Sequence, residues 1–236
     1  MSEVRQEYTR ENYPTSGKKY NGERAVISLT SWKARINTVS KTLYSLIKQC
    51  PGFHIVLVLS EEEFPQKEKE LPENLMVFVE NELIELLWVY KNYKSFKKVL
   101  FTMDKYRDVP VISADDDCIY TCNYAQELYN EWHKNPKKIY TSKTGYMCGF
   151  TWSQGASSLY PPNVFENVGL NNINLVFKFG SNDDAFYAAI AKKKRIFHKS
   201  LNKCWFIFHD DFGSMSKRKL YNAESQLKNF FKFIKV

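Results

Sequence analysis

The chain has 236 residues, of which 44% are apolar and 16% aromatic, and a formal charge of +8. That length suits one well-buried domain or at most two small ones, and the apolar content excludes a disordered chain. The longest apolar runs, such as Leu83 to Tyr90 (LIELLWVY), are too short to span a bilayer.

The opening MSEVRQEYTRENYP is polar and mixed in charge, without the apolar core of a signal peptide, so the expected compartment is the cytosol. Cys50, Cys118, Cys122, Cys148 and Cys204 make no pair of pairs with zinc-like spacing and are expected as reduced thiols. Basic clusters at Lys192 to Arg195 and Lys217 to Lys219 add to a field that favours anionic partners. Nucleotides, phosphates, nucleic acid and an acidic membrane face all satisfy it equally.

Arg24 to Ser31 (RAVISLTS) predicts a buried strand. Val39, Leu43, Leu46 and Ile47 then recur at helical spacing, with Thr38 or Asn37 as N-cap. Phe53 to Ser60 (FHIVLVLS) is a continuous apolar run of strand length, and Leu75 to Glu80 (LMVFVE) predicts a third strand. A helix over Ser95 to Tyr106 precedes a fourth strand in Val109 to Ala114. Further on, KIYTS, YMCGFTW and KCWFIFHD read as strands, and NDDAFYAAIAKKK as a helix opened by Asn182. Trp32, Trp88, Trp152 and Trp205 are expected in the core. Strands separated by helices, with continuous apolar runs, predict a largely parallel α/β sheet covered on both faces. No repeat or linker interrupts it, so residues 1–236 read as one domain, with about 1–23 a polar extension.

The stretch VISADDDCIY places Asp115, Asp116 and Asp117 just after the fourth strand. Ligands of open parallel sheets gather at the carboxyl ends of the strands. In extended backbone Asp115 and Asp117 share a face and Asp116 points away. Two hard oxygen ligands on one side suit Mg²⁺ or Mn²⁺, with phosphate oxygens and water completing the shell. The triplet also reads as an acidic turn that caps the next helix; the strand before it and the apolar CIY after it favour the metal. Asp183 and Asp184 sit at a helix start, where the dipole keeps carboxylates ionised. A base that takes a proton from a hydroxyl fits there, and so does plain capping.

Six stretches, VISLTSWKARINTVSKTLYSLIKQ, FHIVLVLSEEEFP, LP, VISADDDCIY, SSLYPPNVF and NDDAFYAA, occur in this order between about Arg24 and Lys194. Together they resemble a family of bacterial and viral glycosyltransferases with the GT-A fold and a DxD motif, many of them linked to capsule or other surface polysaccharides. The resemblance implies a Rossmann-like, mostly parallel α/β sheet, with about 24–120 a nucleotide-binding half and about 121–236 an acceptor-side half. It implies that Asp115 and Asp116 lie by the donor's ribose or sugar. Asp117, with Asp115, would hold the Mn²⁺ or Mg²⁺ that bridges the diphosphate, and the late His209 would be a third ligand. Thr30, Ser31, Arg35 and Lys98 become donor-site residues on the same basis. Asn92 and Lys94 stand where the family often has an aspartate and a glycine. SQGASSLYPP, Ser153 to Pro162, resembles the family's glycine-rich loop and keeps Gly155, with Ala156 and Ser157 where glycines are common; a plain loop rigidified by Pro161 and Pro162 accounts for it as well. Asp184, with Asp183 before it, would lie beside the acceptor and act as the base if the reaction inverts the anomeric carbon; a retaining reaction would use this carboxylate differently.

The function so implied is metal-dependent transfer of a sugar from a UDP-sugar to a hydroxyl of a glycan or glycolipid acceptor. Its setting would be cytoplasmic, in peripheral contact with the acidic inner face of a membrane and without nucleic acid. A nucleotidyltransferase would carry a glycine-rich basic loop after the first strand, and LTSWKARIN has no glycine. A non-catalytic basic domain that binds sugar nucleotides, polyanionic glycan or RNA is the remaining alternative; the chain has no RNP-like aromatic signature.

Overall fold

The computed structural model describes residues 11–49, 51–166, 168–180, 182–209 and 223–235. The first ten residues, Cys50, Asp210 to Gly213 and the Lys217 to Lys219 cluster lie outside the described residues. Thr15–Gly17 (β1) edges a mixed sheet whose centre is parallel: Ala25–Thr30 (β2), Phe53–Ser60 (β3), Glu85–Val89 (β4) and Val111–Ala114 (β5). β4, β3, β2 and β5 run side by side in that order, all parallel. Cys118–Tyr120 (β6) leaves the sheet, and Ile139–Thr141 (β7), Ser157–Tyr160 (β10) and His198–Ser200 (β11) extend it. β10 is antiparallel to both β5 and β7, while β11 is parallel to β7.

Every residue of β3 is buried, as a strand covered on both faces requires. Its alternation divides the core. Ile55, Leu57 and Leu59 pack under Val39–Leu46 (α1), Glu73–Glu80 (α2) and Tyr124–Lys134 (α4). Val56 and Val58 face the other layer, built from Lys97–Lys105 (α3), Val168–Asn171 (α5), Leu175–Phe179 (α6), Asp183–Lys193 (α7) and Ala223–Phe233 (α8). Each fully buried Leu or Ile contributes about 1.5–3 kcal/mol to holding these layers together.

Four expectations change. Leu75 to Glu80 is helical, within α2, because Leu75, Phe78 and Val79 repeat at helical spacing and turn into the core behind Pro72. The strand that the sheet uses lies next in the chain, in β4. YMCGFTW is a hairpin of Thr144–Met147 (β8) and Phe150–Ser153 (β9), turned by Cys148 and Gly149 at φ 51° and 81°. SSLY, read as loop, is the buried strand β10. Trp32 is exposed and Trp152 only half-buried, lying over Gly145, whereas Trp88 and Trp205 are in the core. The four described cysteines are free thiols, Cys118 buried and the rest exposed.

Two histidines serve the scaffold. His54 bonds Glu85 at 2.6 Å at the amino ends of β3 and β4, the sheet edge opposite the aspartate triplet. His198 sets its Nδ1 2.6 Å from the Ser153 hydroxyl, and burial pushes its pKa down to about 4. Above the ordinary value near 6.5 the ring is neutral in both folded and unfolded chain, so the contribution is fully present there. As pH falls from about 6.5 towards 4, the unfolded chain takes up a proton that the fold refuses, and up to about 3 kcal/mol is lost. Urea titrations at several pH values should show His198→Asn losing less stability over this interval than the parent; equal losses would rule His198 out as the cause.

Candidate active site

The carboxyl ends of β2 and β5 lie side by side, and the segments leaving them carry opposite charges to one spot. Asp116 is buried; its carboxylate accepts from Ser31 Oγ at 2.6 Å and from Arg35 Nη1 at 2.8 Å. The same Nη1 stands 3.0 Å from Asp117 Oδ2. Burial raises the pKa of Asp116, with Ser31 and Arg35 working against it. Burial also opposes the charge on Arg35, but Asp116 and Asp117 outweigh it and the guanidinium is held more firmly charged. Thr42, on the buried side of α1, donates to the Asp116 carbonyl at 3.0 Å, so the helix itself pins the triplet.

Asp116 and Asp117 form a turn rather than extended backbone, so strict alternation fails and these two share Arg35. Asp117 is pushed up to about 6, by burial first and then by the neighbouring charge of Asp115, against the pull of Arg35.

A second cation serves the other side. Lys98, buried on α3, donates to the Asp115 carboxylate, and its Nζ lies 3.8 Å from Asp183 Oδ2. Burial disfavours its charge, yet Asp115, Asp183 and Asp184 together raise its pKa. Asp183 and Asp184 open α7, where Asn182 caps the helix by accepting from the Ala185 N–H at 3.1 Å. Gly155 closes over them: a Cβ there would stand 2.7 Å from Asp184 Oδ1 and 3.5 Å from Lys98 Nζ. Tyr120 ties this loop to the triplet, its hydroxyl accepting from the Asp115 N–H at 2.8 Å and donating to the Ala156 carbonyl at 2.7 Å.

Of the residues expected here, Ser31, Arg35, Asp116 and Asp117 form one group, and Lys98, Asp115, Asp183, Asp184 and Gly155 an adjoining one. Thr30 stands at the strand end but gives its hydroxyl to the Val58 carbonyl at 2.6 Å. His209 follows Phe206–Phe208 (β12), which pairs with β6; its N–H bonds the Asp117 carbonyl at 2.9 Å and its Nε2 faces Thr42 Oγ1 at 3.0 Å. Among the described residues no three His, Cys, Asp or Glu side chains converge as metal ligands. Asn92 accepts from the Lys94 N–H and from Lys97 Nζ, and Lys94 adopts φ 53°, the left-handed conformation that suits a glycine. Thr42, Tyr120 and Lys97 were not read from the sequence. Thr42 was within reach, as a polar residue set among Val39, Leu43 and Leu46 on the apolar stripe of α1.

No protein-family model and no curated protein matches the chain. Solved structures do. TarS 1–349 of S. aureus aligns over 89% of this chain and 72% of its own, at 11% identity and a TM-score of 0.53. The chain shares the TarS fold. The same TarS segment in complex with UDP-GlcNAc aligns over 78% of this chain and 57% of its own, at 12% identity and a TM-score of 0.48. The glycosyltransferase GlyE of Streptococcus pneumoniae TIGR4 aligns at 18% identity and a TM-score of 0.48, over 91% of this chain, which spans about half (52%) of the GlyE chain. Within the TarS fold, the aspartates and their two cations occupy the carboxyl edge of the parallel strands, where ligands of such sheets bind.

Proposed function

We propose that the chain is a metal-dependent glycosyltransferase that moves a sugar from a UDP-sugar to a hydroxyl of a surface-glycan or glycolipid acceptor. The observation that carries this reading is the charge balance of the site: Asp115, Asp116, Asp117, Asp183 and Asp184 gather around Arg35 and Lys98. A diphosphate brought to so acidic a spot is repelled unless a further cation joins it. Asp115 and Asp117, which already repel one another, fit a divalent ion that takes carboxylate oxygens from them and its remaining ligands from phosphate and water. When bound, Mn²⁺ or Mg²⁺ supplies the positive charge that a departing nucleoside diphosphate requires. His209 and Thr42 keep the Asp117 turn in register.

Arg35 and Lys98 orient the carboxylates, and Ser31 fixes Asp116 from the β2 side. Asp184, under the Gly155 loop, is the group we assign to accept the acceptor's hydroxyl proton, with Asp183 anchoring Lys98 beside it. TarS 1–349, whose fold this chain shares, is seen with UDP-GlcNAc, which makes UDP-sugars the first donors to test.

Thermal unfolding with UDP-, GDP- and TDP-sugars, each with and without Mn²⁺, tests the reading. At a hundredfold excess over Kd a specific ligand adds about 2.7 kcal/mol, or about 5–10 °C for a chain of this size. A UDP-sugar with Mn²⁺ should give the largest rise, and Asp117→Ala should remove both that rise and any sugar-nucleotide hydrolysis. Equal responses to all nucleotides, indifferent to metal, would overturn it.

Gly155→Ala is the sharper probe of Asp184. The new methyl group meets the far end of a side chain that can yield, so the fold should lose less than about 1 kcal/mol. Displacing the carboxylate by an ångström should nevertheless slow transfer about tenfold to a hundredfold. A fully active, normally stable Gly155→Ala enzyme would place the base elsewhere.

A further inference from the structure

We propose that the face built by α6 and α8 docks on an anionic lipid bilayer. α8 turns Leu227 and Phe230 into the core and leaves Lys228 and Lys232 exposed; just past its end Ile234 is buried and Lys235 exposed. On one flank Phe233, 40% exposed, stacks on Phe179 with ring centroids 5.0 Å apart. Lys178 lies 5.2 Å from both rings and Lys232 5.3 Å from Phe233. Phe177, 48% exposed and two positions before Phe179 in α6, is a separate exposed ring that lies under Lys91 at 4.3 Å, against Tyr93. On the other flank Lys192 and Lys193 stand 5.4 and 5.3 Å from the Phe231 ring. The acid that α6 and α8 set among their lysines is Glu224, which is paired with Lys228.

Half-exposed aromatic rings framed by lysines match the interface of an anionic bilayer. The rings enter the boundary between headgroups and acyl chains, the lysine stems lie along them, and the ammonium groups reach phosphate. A nucleic acid satisfies the lysines but offers Phe177 and Phe233 no apolar layer. A second copy of the chain, docked symmetrically, brings lysines against lysines and is repelled. Among the described residues no helix is long and apolar enough to cross a membrane. The face also adjoins the candidate site: Gln226 of α8 accepts the N–H of Asn182, the cap of the helix that carries Asp183 and Asp184. Docking stands apart from the transfer reading, because it concerns a surface rather than the chemistry.

Cosedimentation of the full chain with vesicles of phosphatidylglycerol and phosphatidylcholine, against phosphatidylcholine alone, tests it. Binding should require the anionic lipid and weaken with salt. Each lysine near such a surface is worth about fivefold, so Lys178→Gln with Lys232→Gln should lower partitioning about 25-fold. Phe177→Trp should be quenched by brominated acyl chains in the anionic vesicles, a readout that needs no loss of function. All replaced side chains are exposed, and thermal unfolding checks that the variants remain folded. Absence of anionic-lipid binding, partitioning unchanged by the paired lysine variant, or an unquenched Phe177→Trp each overturns the proposal. So does a concentration-dependent self-association, or an RNA affinity exceeding that for vesicles, that the paired variant abolishes. Transfer to a water-soluble acceptor should be unaltered by the surface variants, which separates failure here from failure of the catalytic reading.

Discussion

Lys98→Met should unfold about 3–5 kcal/mol more easily than the parent and, on the proposed function, transfer no measurable sugar. Lys98 is almost fully buried, and its ammonium answers Asp115 directly and Asp183 at 3.8 Å. Methionine fills nearly the same volume, so packing changes little and the loss is electrostatic. Asp115 is 35% exposed and water can answer it, but Asp183 is buried, and removing the cation leaves that carboxylate uncompensated in a low-dielectric setting, which is why the penalty is large. For a chain of this length the melting temperature should fall by about 10 °C. Urea unfolding and a transfer assay measure the two effects, and Lys98→Met combined with Asp183→Asn should recover part of the stability. A Lys98→Met protein within about 1 kcal/mol of the parent would show that water, rather than protein, solvates these carboxylates.

Asp184→Asn should slow transfer about a thousandfold while leaving the fold and donor binding nearly intact. On the proposed assignment the amide keeps the shape of the side chain at the start of α7 and removes its ability to take a proton. The loss should fall on kcat, with the thermal response to UDP-sugar and Mn²⁺ unchanged. Asp183→Asn should behave differently, because Asp183 is buried against Lys98: stability falls along with activity. Activity within tenfold of the parent for Asp184→Asn would remove it from the proton-transfer role.

Much of the site was legible because several features were local. Asn182 followed by two aspartates and an apolar run is a helix start in any context, and Asn182 does cap α7. The triplet could be placed because it follows a recognisable strand, whereas Lys98, inside the helix of α3, was reached only through the family resemblance. The failures share a physical cause. LMVFVE offers apolar residues at positions that suit a strand or a helix, and only packing of Leu75, Phe78 and Val79 beside β4 settles which. Ser157 and Ser158 look like loop residues; they are buried in β10 because hydroxyl bonds to Ser142 and Thr141 satisfy them there. Trp32 reads as core by its size alone, and the turn that delivers Arg35 leaves it outside.

By itself the sequence determined the continuous apolar strands, the amphipathic helices, and the position of three aspartates at a strand's end. Those follow from short-range periodicity and from the cost of leaving apolar surface in water. Only the tertiary structure decided which carboxylate meets which cation. Arg35 reaches Asp116 and Asp117 because β2 and β5 are neighbours in the sheet, and Lys98 joins Asp115 to α7 because α3 and α7 share one face of it. Charge pairing depends on distance through space, and a chain written in one dimension does not contain that distance until it folds.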